Sequence, residues 1–252
     1  MRKIAAVMFL LCLCGFCYAG LLVEYKFDSG LIDTGSDGDV VDNLTSAGQI
    51  YRQGVMGDAL YCDSNIFAAA DSADLDLASS RYTIEAFIRP ASFSGRQYIF
   101  YKDSYRIGID NGNLGFLHLQ SNGTLIGDFS VPLTLNKWHH IAVVRATSSS
   151  LILYLDGKAA KTFSYNNTIY NSTEPLSVGG LGTSNYYKGL IDDVRMFNAA
   201  KSASYIASRA AYSCASLPLG DVDGDCRITN NDLLVLAEQW LACDSAVRMG
   251  CQ

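Results

Sequence analysis

Three dipeptides, Asn111-Gly112, Asn122-Gly123 and Asp156-Gly157, each separate two short apolar runs. Asn-Gly and Asp-Gly reach the positive φ angles that a tight hairpin turn demands, so each argues for two antiparallel strands. Tyr105-Arg106-Ile107-Gly108-Ile109, Leu114-Gly115-Phe116-Leu117-His118-Leu119 and Thr124-Leu125-Ile126-Gly127-Asp128 read as a three-stranded meander around the first two. Leu151-Ile152-Leu153-Tyr154-Leu155 turns back through Lys158 to Tyr165 around the third. In Thr83-Ile84-Glu85-Ala86-Phe87-Ile88 the residues Ile84, Ala86 and Ile88 share one face, as do Ile141 and Val143 in His140-Ile141-Ala142-Val143-Val144. Such segments recur between turn signals from residue 21 to about 198. They predict an all-β fold, a two-sheet antiparallel jelly-roll sandwich.

The N-terminus is a secretory signal in pattern. Arg2 and Lys3 precede an apolar core from Ile4 to Phe16, and Cys17-Tyr18-Ala19 leads to Gly20 with small residues at −3 and −1. A 13-residue apolar run is too short to span a bilayer, and no other stretch qualifies. The expectation is a secreted or cell-surface chain. Its formal charge is −6, or −8 once Arg2 and Lys3 are removed, and no Lys/Arg cluster is present. Nucleic acid and anionic membranes are therefore excluded as expected partners. Export permits disulfides among Cys214, Cys226, Cys243 and Cys251, while Cys62 is left over as a buried free thiol. A helix of about 11 residues between Cys226 and Cys243 would hold them roughly 16 Å apart, beyond bridging reach. That favours Cys214–Cys226 and Cys243–Cys251. Zinc is the rival, but no C-x-x-C pair is present.

The C-terminal tail contains Gly220-Asp221-Val222-Asp223-Gly224-Asp225-Cys226-Arg227-Ile228-Thr229-Asn230-Asn231-Asp232. Asp221, Asp223, Asp225 and Asp232 fall at positions 1, 3, 5 and 12 of a twelve-residue loop. Thr229 stands at position 9, and Arg227 offers its carbonyl at position 7. That spacing converges hard oxygens on one calcium ion. An Asp/Gly-rich surface turn would explain the acidity but not the spacing. Leu233, Leu236, Ala237, Trp240 and Leu241 then mark one apolar helix face within Asp232 to Ala242. The unit resembles one repeat of a type I dockerin, over roughly residues 220–242. It departs from that family in having a single copy and in carrying Cys226 at position 6, normally Gly. A non-Gly residue at the positive φ of that turn costs about 1–2 kcal/mol. The resemblance implies calcium binding and a possible protein partner for the tail, with cohesin binding left open.

Catalysis is not the expectation. A retaining glycosidase needs two carboxylates about 5–5.5 Å apart, and none of Glu24, Glu85, Glu174 and Glu238 has a second acid two residues away. Asp192 and Asp193 are adjacent, so regular strand alternation puts them on opposite faces. Asp71-x-x-Asp74-x-Asp76 reads as a turn entering a strand. Trp138-His139-His140 reads as core packing, because neighbouring histidines on a strand diverge. Tyr101, Tyr105, Tyr170, Tyr186 and Tyr187 are candidates for a sugar-stacking platform, against the alternative that sheet tyrosines are half-buried. Asn43, Asn122, Asn166 and Asn171 head N-x-Ser/Thr sequons, which matter only in a eukaryotic secretory pathway; the dockerin-like tail argues for a bacterial one.

A broader resemblance runs through Val23-Glu24-Tyr25-Lys26-Phe27-Asp28, Gly57-Asp58-Ala59-Leu60 and Tyr82-Thr83-Ile84-Glu85-Ala86-Phe87-Ile88-Arg89-Pro90. It continues through Leu135-Asn136-Lys137-Trp138-His139-His140-Ile141-Ala142-Val143 and Leu153-Tyr154-Leu155-Asp156-Gly157. It closes with Lys188-Gly189-Leu190-Ile191-Asp192-Asp193-Val194-Arg195-Met196-Phe197-Asn198. In order and spacing these segments resemble the laminin-G-like jelly roll of the concanavalin A-like superfamily, over about 180 residues. The resemblance implies two antiparallel sheets and, in many members, carbohydrate or matrix binding. The expected organisation is a signal peptide (1–19), a sandwich (20–211) and a cysteine-rich calcium-binding tail (212–252). The expected function is non-catalytic recognition of a glycan or extracellular polymer. The alternatives are a structural or adhesive surface component and a glycosidase relative.

Overall fold

The computed structural model describes residues 20–211, apart from 29, 36–41, 47, 78–80, 166–168 and 183, together with residues 230, 233, 234, 236 and 237. The strands are β1 (Leu21–Tyr25), β2 (Ile50–Gln53), β3 (Asp58–Asp63), β4 (Phe67–Ala69), β5 (Tyr82–Pro90), β6 (Arg96–Lys102), β7 (Tyr105–Asp110), β8 (Asn113–Leu119), β9 (Leu125–Pro132), β10 (His139–Thr147), β11 (Ser150–Leu155), β12 (Lys158–Ser164), β13 (Leu176–Val178) and β14 (Lys188–Phe197). One helix, α1 (Ala203–Ala210), follows. An eight-stranded sheet has the order β12-β11-β10-β5-β14-β3-β2, with β1 also paired to β14. A six-stranded sheet has the order β4-β13-β6-β7-β8-β9. The ladders are antiparallel, as the all-β jelly-roll expectation requires.

Local chemistry explains the turns. Asn111 and Gly112 have φ of 47° and 85°, and Asp156 and Gly157 have 49° and 78°. Both central residues of each hairpin thus occupy the left-handed region that Asn, Asp and Gly tolerate best. The meander falls on β7, β8 and β9, and the third hairpin joins β11 to β12. Between the sheets lie Ile84, Ala86 and Ile88 of β5, Ile141 and Val143 of β10, and Ile107, Leu114 and Phe116 of the meander.

The closing strand returns to the opening one, with Tyr25 opposite Val194 and Leu21 opposite Phe197. Two carboxylates from the sequence motifs fasten the β2–β3 turn. Asp192 Oδ2 accepts the Val55 and Met56 amides at 2.8 and 3.1 Å, and Asp28 Oδ1 accepts the Asp58 amide at 2.8 Å. Gly57, at φ 76°, is required there, because a Cβ would run into the Asp28 carboxylate.

The helix α1 lies on the outer face of the eight-stranded sheet, where Ile206 joins Ala142, Val144 and Tyr154. Ser202 caps it, accepting the Tyr205 amide at 3.2 Å. Asp192 and Asp193 do not diverge as regular alternation demands. The register shifts between Asp192 and Arg195, and Asp193 takes a φ of 46°. This bulge adds one residue and turns both carboxylates toward the groups packed on the outer face.

Candidate binding site

One row of side chains crosses the exposed face of the six-stranded sheet. Ala68 of β4 stands opposite Ser177 of β13, Ser177 opposite Tyr101 of β6, and Tyr101 opposite Arg106 of β7. Two small residues beside a tyrosine leave a hollow of about 500 Å³, bounded further by Asp103, Glu174, Pro175 and Leu181. Tyr101 is held in place on several sides. Arg106 lies over its ring at 5.0 Å from the centroid, Tyr98 meets it edge-on at 5.3 Å, and its hydroxyl donates to Asp103 Oδ1 at 3.3 Å. Arg106 also donates to Asp103 Oδ1 at 2.9 Å. Burial, followed by smaller contributions that include the Asp103 charge, pushes the Tyr101 hydroxyl above its usual range, so it stays a neutral donor and acceptor. A fixed aromatic ring beside a hydroxyl, two carboxylates and a guanidinium suits a polyhydroxylated ligand: the ring offers an apolar stacking surface and the polar groups fix orientation.

The sequence candidates divide cleanly. Tyr101 lines the hollow, and Tyr186 lies on the neighbouring segment bridged to Tyr98. Tyr105 and Tyr187 are core residues at 1% and 0% exposure, so they are removed from the platform. Tyr170 is 40% exposed but does not line the hollow. Sequence reasoning missed Tyr98, Asp103, Arg106 and Ser177, whose juxtaposition depends on cross-strand register.

The acidic and histidine motifs have structural partners. Lys102 is fully buried, pairs with Asp71, stands 3.6 Å from Asp76 Oδ1 and donates to the Glu174 carbonyl at 2.8 Å. Thus a lysine ammonium neutralises the Asp71–Asp76 turn. The Thr134 amide meets His139 Nε2 at 3.0 Å, and His139 Nδ1 faces Asp156 Oδ2 at 2.9 Å. His140 is buried against Phe87, 4.9 Å between ring centres. Glu24 pairs with Arg195 at 2.9 Å, and Glu85 with Arg209 at 3.2 Å. Burial pushes the Glu85 carboxyl up, but His140, Arg209 and Tyr205 outweigh it and hold the group below the usual carboxylate range. Burial and the Asp193 charge push Asp192 up to about 7 despite its amide hydrogen bonds.

Asp221, Asp223, Asp225, Arg227, Thr229 and Asp232, and the tail cysteines, lie outside the described residues. Of the helix read after the loop, Leu233, Leu234, Leu236 and Ala237 are helical and exposed. Cys62 is a free, buried thiol, as expected, and burial raises its pKa. Among the described residues no helix is long and apolar enough to cross a membrane.

The two-sheet sandwich with a ring-lined hollow on one face is a lectin-like jelly roll. Residues 63–207, more than half of the chain, match the laminin-G-type family model described as the concanavalin A-like lectin/glucanases superfamily, and the chain belongs to that family. No curated protein matches the sequence. The chain is similar in structure to the binding domain of Paraclostridial mosquitocidal protein 1, with 17% identity over 77% of this chain and 52% of that chain and a TM-score of 0.66. It is similar to domain 4 of AbnA, an extracellular arabinanase from Geobacillus stearothermophilus solved in complex with arabinotriose, with 18% identity over 76% of this chain and 98% of that domain and a TM-score of 0.60. The botulinum neurotoxin serotype G binding domain matches with 15% identity over 75% of this chain and 50% of that chain, at a TM-score of 0.61. The chain spans about half the length of the two toxin domains it matches. At these identities the likeness is one of fold.

Proposed function

We propose that the protein is a secreted, non-catalytic binding module that recognises a glycan or related extracellular polymer in the hollow beside Tyr101. The observation that carries this reading is the row Ala68–Ser177–Tyr101–Arg106, which sets a fixed aromatic ring beside small residues and convergent polar groups. The arabinotriose bound by the arabinanase domain, and the binding-domain role of the toxin neighbours, support a recognition role for this fold. The non-catalytic reading is supported by Glu24 and Glu85, whose carboxylates are engaged in buried ion pairs. The tail is proposed to bind one calcium through Asp221, Asp223, Asp225, Asp232, the Arg227 carbonyl and Thr229, on the strength of their spacing. In this reading it attaches the module to a second surface or a protein partner.

A glycan array on the purified chain tests the reading. Saturable binding to at least one glycan class is expected, with a loss of tenfold or more in Tyr101→Ala and no change in thermal stability beyond a few degrees. Binding that survives Tyr101→Ala undiminished would move the site elsewhere, and no binding across the array would remove the recognition role.

A further inference from the structure

A second hollow, of about 290 Å³, opens on the opposite sheet, and its lining has a different chemistry. Arg52 of β2 and Arg89 of β5 flank it, with Tyr61 of β3 and Leu190 of β14 paired across its floor and Gln53 and Asn136 at its rim. Arg52 lies over the Tyr61 ring, 5.5 Å from the centroid, and donates to the Tyr51 carbonyl at 3.1 Å. Arg89 uses Nε to hold the Asn136 carbonyl at 2.9 Å. Neither guanidinium is ion-paired with a carboxylate among the described residues, so most of their donors remain unused. Gln53 Nε2 is buried without a hydrogen-bond partner among the described residues. The neighbouring acids on the outer face are engaged: Asp63 stands 3.5 Å from both Lys188 and the Tyr61 hydroxyl, and Asp192 accepts the Val55 and Met56 amides. In a chain of formal charge −6, this is a local excess of cations around a concavity.

Two planar guanidinium forks beside Tyr61 and Leu190 form a receptor for an oxyanion carried on a ring. We propose that this hollow is a second binding site, specific for an acidic saccharide unit whose carboxylate or sulfate is gripped between Arg52, held over Tyr61, and Arg89, while its ring packs against Leu190. The site lies on the other sheet from Tyr101 and does not depend on the glycan reading of that hollow. A polymer bearing both neutral and acidic units would be able to engage both faces.

Calorimetry on the purified full chain with three probes tests this: a tetragalacturonate, a sulfated neutral tetrasaccharide and the same tetrasaccharide without sulfate. One or both acidic probes should bind, with affinity falling as sodium chloride is raised. Binding of the uronate alone assigns the oxyanion as carboxylate; binding of the sulfated probe alone assigns it as sulfate. Arg52→Ala/Arg89→Ala should lose at least tenfold in affinity for the acidic probe with an unchanged melting temperature, while Tyr101→Ala should bind it as the parent does. No binding of either acidic probe, equal binding of the unsulfated one, or retention of affinity in the double variant would overturn the proposal.

Discussion

Arg209 Nε donates to Glu85 Oε1 at 3.2 Å, joining residues 124 positions apart. The bond ties α1 to the middle strand of the eight-stranded sheet. Glu85 also accepts the Tyr205 hydroxyl at 3.0 Å, Arg209 pairs with Asp193, and Arg195 bridges Asp193 at 3.3 Å to Glu24 at 2.9 Å. The sheet's outer face is therefore sealed by a buried ionic chain under the helix.

Removing one member of such a chain strands its partners. Arg209→Met should cost about 3 kcal/mol, because Glu85 and Asp193, both 1% exposed, would lose the guanidinium they share, leaving Asp193 with Arg195 alone and Glu85 beside His140. Urea denaturation measures this, and Arg209→Lys should lose less. A loss under about 1 kcal/mol in the Met variant would show that the helix is not clamped in this way.

His118 makes stability depend on pH. It is fully buried between Tyr82 and Phe116, and burial together with the Arg145 charge pushes its pKa down to about 3. An unfolded histidine titrates near 6.5. Between about 6.5 and 3 the unfolded chain holds a proton that the folded chain refuses, so stability falls with falling pH, by about 2 kcal/mol from pH 6.5 to 5. Asp192, raised to about 7, contributes in the opposite sense over an overlapping window, being protonated only in the folded state above its unfolded value. The difference between parent and His118→Leu isolates the histidine. Acidification from pH 7 to 5 should raise the melting temperature of His118→Leu relative to that of the parent, since both keep Asp192; parallel profiles would assign the acid response elsewhere.

Truncation tests the closing strand. A fragment of residues 20–211 should unfold cooperatively, because it contains every strand of both sheets and α1. A fragment ending at residue 184 lacks β14, which pairs with β1, β3 and β5. It should bind hydrophobic dye and show no cooperative melt.

The tail should titrate with one equivalent of calcium. Calorimetry on the full chain is expected to show a single site, abolished by Asp221→Ala or by Asp232→Ala. Persistence of the heat signal in both variants would remove the calcium assignment.

The hairpins and the meander were legible because their signals are local: a turn dipeptide and a period of two. The closing strand was legible from the family pattern. The binding row was not, since Ala68, Ser177, Tyr101 and Arg106 meet only through pairings among four strands. Tyr98-Ile99-Phe100-Tyr101 in β6 is continuously apolar, with a register shift between Tyr98 and Phe100, so no alternation told which tyrosine faced out. The shared face of Asp192 and Asp193 escaped because a bulge leaves no mark in the hydrophobic pattern.

β5 carries one further consequence. Its neighbours are β10, which begins at His139, and β14, which begins at Lys188. During vectorial synthesis the strand at the middle of the larger sheet emerges with neither flank available, and one flank stays bare for about a hundred residues more. Those pairings are long in sequence, so they form slowly, and an apolar unpaired strand recruits other chains while it waits. Any host that makes this protein must therefore shield residues 82–90 until β14 has emerged, and expression yield will follow how well it does so.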